Sequence, residues 1–265
     1  MKILVVVQAR TGSSRFPRKI LQKVFGKTLL ELQIERIQHS LFSNNLIVAT
    51  TENQDDDVIC QICSKLNIEN FRVSENDLLD RHYQISKLMN ADAVVKIPSD
   101  CPLIDPNIID KVIRTFIDNY PAFDYVSNLH PPTYPDGNDV EIMKFEILEE
   151  AWKYAEKSYE REHTTSFIWD SYGKYNISNY VWESGLDYSM THRFTIDYPE
   201  DYLFIKTVYE KLYPTNKIFS LDDILNLLDN EPEIYRINNK YAGYNWYRNH
   251  LDDLKTITQN MTIKL

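Results

Sequence analysis

Apolar residues fall in short blocks along this chain, and the blocks alternate between two periodicities. Lys2 to Gln8 carries an unbroken Ile-Leu-Val-Val-Val run, the pattern of a strand buried on both faces. Ala9 to Lys19 has no apolar period and reads as a loop. From Thr28 onward Leu29, Leu30, Leu32, Ile34, Ile37 and Leu41 recur mostly at helical spacing, and Leu46 to Thr50 is again a short β-branched run. The alternation then repeats. Asp55 to Leu66 is helical with acids in its first turn, Phe71 to Val73 is strand-like, Asp77 to Asn90 is helical, and Ala93 to Pro98 is another buried strand. Ile108, Ile109, Val112, Ile113 and Phe116 mark a helix entered through Pro106.

Strands alternating with helices of this length predict an α/β fold: βαβ units, a mainly parallel Rossmann-like sheet, and helices on both faces in three layers. Such sheets bind ligands beyond the carboxyl ends of their strands. The loops at Ala9 and Ser99 both leave strand carboxyl ends, so they share one rim. After Ser127 the pattern becomes irregular: Leu129 to Asn138 holds three prolines, Asp139 to Phe145 reads as a strand, and Glu146 to Lys157 and Glu160 to Asp170 read as helices. Arg193 to Ile196 returns to a strand, followed by helices over Pro199 to Leu212 and Ser220 to Leu228, the latter opening on a Ser220–Asp223 capping box. Nothing like a linker divides residues 1–265, which therefore read as one domain with an inserted arm at about 128–190.

Net charge is −10, yet the charge is unevenly placed: the first thirty residues carry seven bases and no acid, and four of those bases lie between Arg10 and Lys19. An acidic surface repels nucleic-acid polymers and anionic membranes, whereas a local basic cluster suits a small polyanion. No apolar run approaches the ~20 residues of a membrane span, and Ile3 to Val7 is too short for a signal core, so a cytoplasmic protein is expected. The three cysteines, Cys60, Cys63 and Cys101, cannot complete a disulfide set and suit a reducing compartment. Cys60 and Cys63 share a helix face, where core packing is the expected role. Asp55-Asp56-Asp57 mimics a glycosyltransferase DxD, but at a helix start it reads as local stabilisation by the helix dipole.

The chemistry concentrates in Gln8-Ala9-Arg10-Thr11-Gly12-Ser13-Ser14-Arg15-Phe16-Pro17-Arg18-Lys19. Hydroxyls, backbone amides beside a glycine, and several cations supply the donors that triphosphate oxygens need. The dinucleotide fingerprint G-x-G-x-x-G is missing, and Gly26-Lys27-Thr28 has Leu21 where a Walker loop needs its first glycine. Asp100 follows a buried strand, where its carboxylate could take a divalent cation or cap the next helix, a task Asp105 fits better. Asp139 and Glu141, at period two, share a strand face that suits sugar hydroxyls, a second metal or a solvated edge. His163 could serve as a base, contact an acceptor or be structural.

The pattern Q-A-R-x-G-S-x-R-x-P-x-K resembles the opening of SpsF-type cytidylyltransferases and is also similar to that of CMP-Kdo synthetases, within the acylneuraminate cytidylyltransferase superfamily. The likeness continues at Ser74-Glu75-Asn76-Asp77, Leu79-Asp80-Arg81, Ser99-Asp100-Cys101-Pro102-Leu103-Ile104-Asp105, Asp136-Gly137-Asn138-Asp139-Val140-Glu141, Arg161-Glu162-His163 and Thr195-Ile196-Asp197-Tyr198-Pro199-Glu200-Asp201, spanning roughly residues 2–210. The last 50 or so residues match nothing in that pattern. The resemblance implies CTP and a sugar-acid acceptor as partners, Mg²⁺ held by Asp100 and Asp197, and a homodimer formed through the 128–190 arm. It implies nucleotide contacts from Ala9, Arg10, Gly12, Ser13, Ser14, Arg15, Lys19, Ser74, Glu75, Arg81 and Asp100, with Arg10, Arg15, Lys19 and Asp100 catalytic. Asp139, Glu141, Arg161, Glu162 and His163 are the candidates for the acceptor. Asp197 could instead cap the Pro199 helix, and the Ser74–Arg81 segment could be a charged helix start. The resulting expectation is transfer of CMP from CTP to a sugar acid, of the 2-keto-3-deoxy class, in surface polysaccharide or glycoconjugate synthesis. The alternatives are a glycosyltransferase of similar architecture and a non-catalytic nucleotide-binding module.

Overall fold

The computed structural model describes residues 1–73, 77–171 and 173–264. In chain order the strands are β1 (Ile3–Gln8), β2 (Lys23–Val24), β3 (Lys27–Thr28), β4 (Leu46–Thr51), β5 (Glu69–Val73), β6 (Ala93–Pro98), β7 (Tyr125–Ser127), β8 (Glu141–Lys144) and β9 (Ile177–Asn179). The helices are α1 (Leu29–Ile37), α2 (Asp57–Leu66), α3 (Leu78–Leu88), α4 (Pro106–Asp118), α5 (Phe145–Tyr154), α6 (Ser158–Glu162), α7 (Ser166–Trp169), α8 (Pro199–Leu212), α9 (Leu221–Asn230) and α10 (Pro232–Tyr235). Seven strands form one sheet in the order β5-β4-β1-β6-β8-β7-β9, and β2 pairs with β3 in a separate hairpin. The first four are mutually parallel, β8 runs against both β6 and β7, and β9 is parallel to β7.

Alternation along β1 separates the two faces. Ile3, Val5 and Val7 pack with α1, α2, α4, α8 and α9, whereas Leu4 and Val6 pack with α3, α5 and α7. This is the three-layer α/β arrangement that the block pattern implies. Capping agrees with it: Thr28 and Glu31 form a reciprocal box on α1, and Ser220 and Asp223 do so on α9. The Asp105 carboxylate caps α4 by accepting from Asn107 N at 2.8 Å, and its other oxygen accepts from Leu221 N at 2.7 Å, tying α4 to α9.

Differences from the pattern are local. The expected helix over 160–170 divides into α6 and α7 because Thr164, fully buried, adopts a left-handed φ of 59°. Residues 193–196 form no strand; the segment is extended but makes a single bridge, Asp136 to Arg193. Strands β7 and β9 have three residues each, too short to leave a periodic signal.

The reversal of β8 positions the site. Because β8 is antiparallel to β6, with Lys96 opposite Glu141, its amino end lies beside the carboxyl end of β6, and Asp139 and Glu141 reach the same rim as Ala9 and Asp100. Just before it, Gly137 has φ 106°, and a Cβ there would lie 2.6 Å from the Phe194 carbonyl carbon. The glycine lets the 136–137 turn lie against the 193–195 segment, where Asp136 N donates to His192 O at 3.0 Å and Phe194 N to Asp136 O at 2.6 Å. Gly137→Ala is therefore expected to cost about 2 to 4 kcal/mol of stability by forcing two backbones apart. The check is the urea midpoint, and an unchanged midpoint would show that the approach is not obligatory.

Candidate active site

The loop after β1 is fixed from beneath. Ala9, fully buried, donates its N–H to Ala49 O at 2.9 Å, and the N–H and hydroxyl of Thr11 both donate to one Asp56 oxygen at 2.7 Å. Asp56 is itself buried and accepts from the Thr51 hydroxyl. The middle of the Asp55–Asp57 run thus holds the basic loop, while Asp57 pairs with Arg72, so the run offers no DxD at the rim. With its base pinned, the loop turns Gly12 and Ser14 outward; Ser13 and Arg10 are half-buried.

Lys19 closes the loop at the point where two distant segments meet. Its ammonium donates to Asp100 Oδ2 at 3.3 Å, Asp197 Oδ1 at 2.9 Å and the Ile196 carbonyl at 2.7 Å. Arg15 reaches the same Asp197 oxygen at 2.7 Å. The two aspartate segments are stitched together by backbone: Asp100 O accepts from Ile196 N and from the Thr195 hydroxyl, each at 2.9 Å. Behind them Arg193, 1% exposed, pairs with Asp201 at 2.9 Å, Asp136 at 3.1 Å and Asp197 at 3.2 Å. Burial alone would raise the Asp197 carboxyl, but Lys19, then Arg15 and Arg193, hold it down to about 2.

Beside these groups lies a cavity of about 280 Å³ lined by Arg15, Asp100, Asp136, Asp139, Glu141, His163, Arg193 and Asp197, among others. Glu141 is paired within the wall with Lys96, and its other oxygen accepts from the Tyr125 hydroxyl at 2.6 Å. Asp139 accepts only from Gly137 N, at 3.2 Å, among the described residues. Burial, then the neighbouring Asp136 and Asp100, push its carboxyl up to about 8. His163 stacks face to face on Trp246, with ring centroids 3.6 Å apart, and burial, then Lys96 and His250, push its imidazole down to about 3, so it is neutral.

Other sequence-derived candidates lie elsewhere. Arg81 is fully buried in α3 and does not line the cavity. Arg161 binds Asp77, the cap of α3, and the Trp152 carbonyl at 2.6 Å, so it ties α6 to α3 rather than reaching an acceptor. Glu162 is exposed and outside the cavity. These three do not line the cavity, a placement the local motif does not carry. Ser74 and Glu75 lie outside the described residues. The sequence reading missed Lys96, a lysine inside an otherwise apolar strand, together with Arg193 and the aromatic Gly243–Arg248 segment, which lines the cavity from the carboxyl-terminal end.

The donor set fits a magnesium ion that depends on substrate. No group of three or more His, Cys, Asp or Glu side chains among the described residues is placed to hold a metal. Asp100 and Asp197, however, both lie within 3.3 Å of one ammonium, so their oxygens flank a single cationic point. Mg²⁺ is commonly held by one or two carboxylates with waters and phosphate oxygens completing its shell.

A carboxyl whose pKa is higher in the folded than in the unfolded state stabilises most below its unfolded value of ~3.9, and that contribution is lost as pH rises through the folded value. In the absence of divalent cations, the melting temperature is expected to fall more steeply between about pH 4 and 8 for the wild type than for Asp139→Asn. Parallel slopes in the two proteins would show that Asp139 titrates as an ordinary carboxylate.

Comparison with known proteins agrees with this geometry. The cytidylyltransferase family profile matches residues 4–237. An uncharacterized protein of Methanocaldococcus jannaschii is 35% identical over 90% of this chain and 95% of its own length. The spore coat polysaccharide biosynthesis protein SpsF of Bacillus subtilis is 28% identical over 87% of this chain and 95% of its own. A solved cytidylyltransferase from Leptospira borgpetersenii superposes with a TM-score of 0.84 at 34% identity, covering 89% of this chain and 97% of that one. Among the described residues no helix is long and apolar enough to cross a membrane. The chain belongs to the cytidylyltransferase family and is a nucleotidyltransferase.

Proposed function

We propose that the protein transfers CMP from CTP to a hydroxyl of a sugar acid, of the 2-keto-3-deoxy class, and releases pyrophosphate, in the synthesis of a surface polysaccharide or glycoconjugate. The observation that carries this reading is the meeting of Lys19 and Arg15, from the basic loop, with Asp197 beside a cavity that Asp100 and Asp197 both line. The likeness to SpsF, a protein named for polysaccharide biosynthesis, supports the setting, and a partial likeness to 3-deoxy-manno-octulosonate cytidylyltransferases, 32% identical over 45% of this chain for that of Trichlorobacter lovleyi, supports the substrate class.

In this reading the amides and hydroxyls of Gly12, Ser13 and Ser14, with Arg10, Arg15 and Lys19, bind the triphosphate. Arg15 and Lys19 exchange Asp197 for phosphate oxygens, so each charge keeps a partner throughout. Asp100 and Asp197 would hold Mg²⁺, which when bound would supply neutralisation of the triphosphate and polarisation of the α-phosphorus. The acceptor sits in the cavity against His163, Asp139 and Glu141. Its hydroxyl attacks the α-phosphorus in line; the new P–O bond forms as the bond to the β-phosphate breaks, the hydroxyl proton leaves to water, and the basic loop stabilises the charge on the departing pyrophosphate. Positioning and electrostatics dominate such a transfer, and this chain supplies both from a rim whose backbone is already fixed.

The deciding experiment is a pyrophosphate-release screen of the four ribonucleoside triphosphates against a panel of sugar acids with Mg²⁺. Turnover confined to CTP with an acid acceptor is expected, and turnover with another nucleotide or only with neutral sugars would overturn the assignment. Asp100→Ala is expected to lower kcat by ~10² to 10⁴, about 3 to 5 kcal/mol, and near wild-type turnover would remove the metal role. A homodimer through residues 128–190 belongs to the same proposal, supported by the exposed apolar Val181 and Leu186. Light scattering should then give twice the 31.3 kDa chain mass, and a monomer at assay concentration would exclude it.

A further inference from the structure

The family match ends at residue 237, yet the chain beyond it is built into the site. Asn238, buried, donates to the Arg193 carbonyl and to Asp201, both at 2.9 Å. Arg193 in turn reaches the Tyr244 carbonyl at 3.4 Å, so the cation that gathers the acidic wall also holds this segment. Farther along, the buried Asp170 accepts from Lys255 N and Thr256 N, each at 2.8 Å, and Asn245 Nδ2 donates to Met261 O at 2.8 Å. A segment fastened at both ends in this way is a wall of the cavity rather than a loose tail.

Charge bookkeeping around the cavity singles out one side chain. Of the lysines and arginines lining it, Arg15 is paired with Asp197, Lys96 with Glu141, and Arg193 with three aspartates. Arg248 also lines it, half-buried, and among the described residues it has no carboxylate partner. Its guanidinium lies 3.6 Å above the Tyr244 ring and donates to the Asn245 carbonyl, contacts that hold the fork flat without neutralising it. An anionic acceptor entering this space meets the carboxylates of Asp100 and Asp136 and one unneutralised cation. Two residues before Arg248, Trp246 stacks on the neutral His163, an aromatic face suited to the C–H side of a sugar ring.

We infer that Gly243–Arg248, outside the part of the chain shared with the family profile, is the acceptor-recognition element, with Arg248 binding the acceptor's carboxylate in its planar fork and Trp246 with His163 bearing its ring. This rests on the reading that the cavity holds the acceptor of a cytidylyl transfer, and it adds the residue that reads the acid group. Arg248 is a specificity determinant and takes no part in bond making.

The test uses the full chain with CTP, Mg²⁺ and two sugar acids, 3-deoxy-manno-octulosonate and N-acetylneuraminate, each beside its methyl ester, with pyrophosphate release as the readout. Arg248→Gln should lower kcat/KM for the acid turned over by ~10- to 100-fold, the worth of hydrogen bonds to a charged group, and leave the ester and the KM for CTP within about twofold. Arg248→Lys, which keeps charge but loses the fork, should fall between. A variant that merely loosened the wall would lower acid and ester alike, so equal losses, or no loss on the acid, overturn the inference while leaving the cytidylyl transfer standing. A wild type that uses ester and acid equally well overturns it too. No pyrophosphate from CTP with any of these compounds sinks the sugar-acid reading and the inference together.

Discussion

Arg193 is 1% exposed, and its guanidinium faces Asp136, Asp197 and Asp201 at once. Each of those carboxylates comes from a different local context: the turn before β8, the segment after the Arg193 bridge, and the first turn of α8. Gathering them around one cation fixes the rim, because a buried charge that loses its partners costs several kcal/mol, so no single contact can relax alone. Asp201 contributes further by accepting from the N–H groups of Asp197 and Tyr198 at 2.8 and 3.0 Å, which sets the backbone that presents the Asp197 carboxylate. The price of this arrangement is a surplus of negative charge: burial, then Asp136 and Asp100, push the Asp139 carboxyl up to about 8, and burial, opposed by Arg193 and aided by the neighbouring acids, pushes Asp136 up to about 6. A site of this kind is incomplete electrostatically until cationic ligands arrive.

Much of the architecture was legible in the chain because it is written in period and in caps. The β1 and β6 blocks, the Thr28 and Ser220 boxes and the Pro106 entry each depend on a few adjacent residues, and each formed as those residues dictate. The meeting of the basic loop with Asp100 was also foreseeable, since parallel sheets bring strand carboxyl ends to one edge; Asp197 joins them although the segment before it forms no strand. What escaped the sequence depends on direction and on long-range packing. Arg81, Arg161 and Glu162 belong to motifs that resemble a nucleotide and acceptor site, but they do not line the cavity, and Arg161 is paired with Asp77. Residues 193–196 look like a strand by composition; the ion pairs of Arg193 and the close approach of Gly137 hold them as a bridge instead.

The carboxyl-terminal segment shows a different limit. It has no repeating apolar period, and its aromatic residues gain meaning only where they pack: Trp246 against His163, Tyr244 under Arg248, and Tyr247 among the buried residues beside Trp169. In the proposed reading, a framework that the family profile covers is joined to a wall supplied by residues beyond it, so the part of the site proposed to perform transfer is separate from the part proposed to read the acceptor. The framework is built on strands and backbone hydrogen bonds, whereas the wall is built on short turns and aromatic faces, which change more easily without loss of the fold.

The antiparallel run of β8 carries a consequence for how such a chain can vary. Side chains on a strand alternate between faces, so adding or deleting one amino acid between Gly137 and Glu141 would turn the Glu141 carboxylate and its Lys96 counter-charge out of phase and carry Ile142 toward the ligand space. Point changes in this stretch are graded in their effect, but length changes are all-or-none. Related sequences that retain the chemistry are accordingly expected to keep the spacing from the turn to the reversed strand free of gaps, whatever residues occupy it.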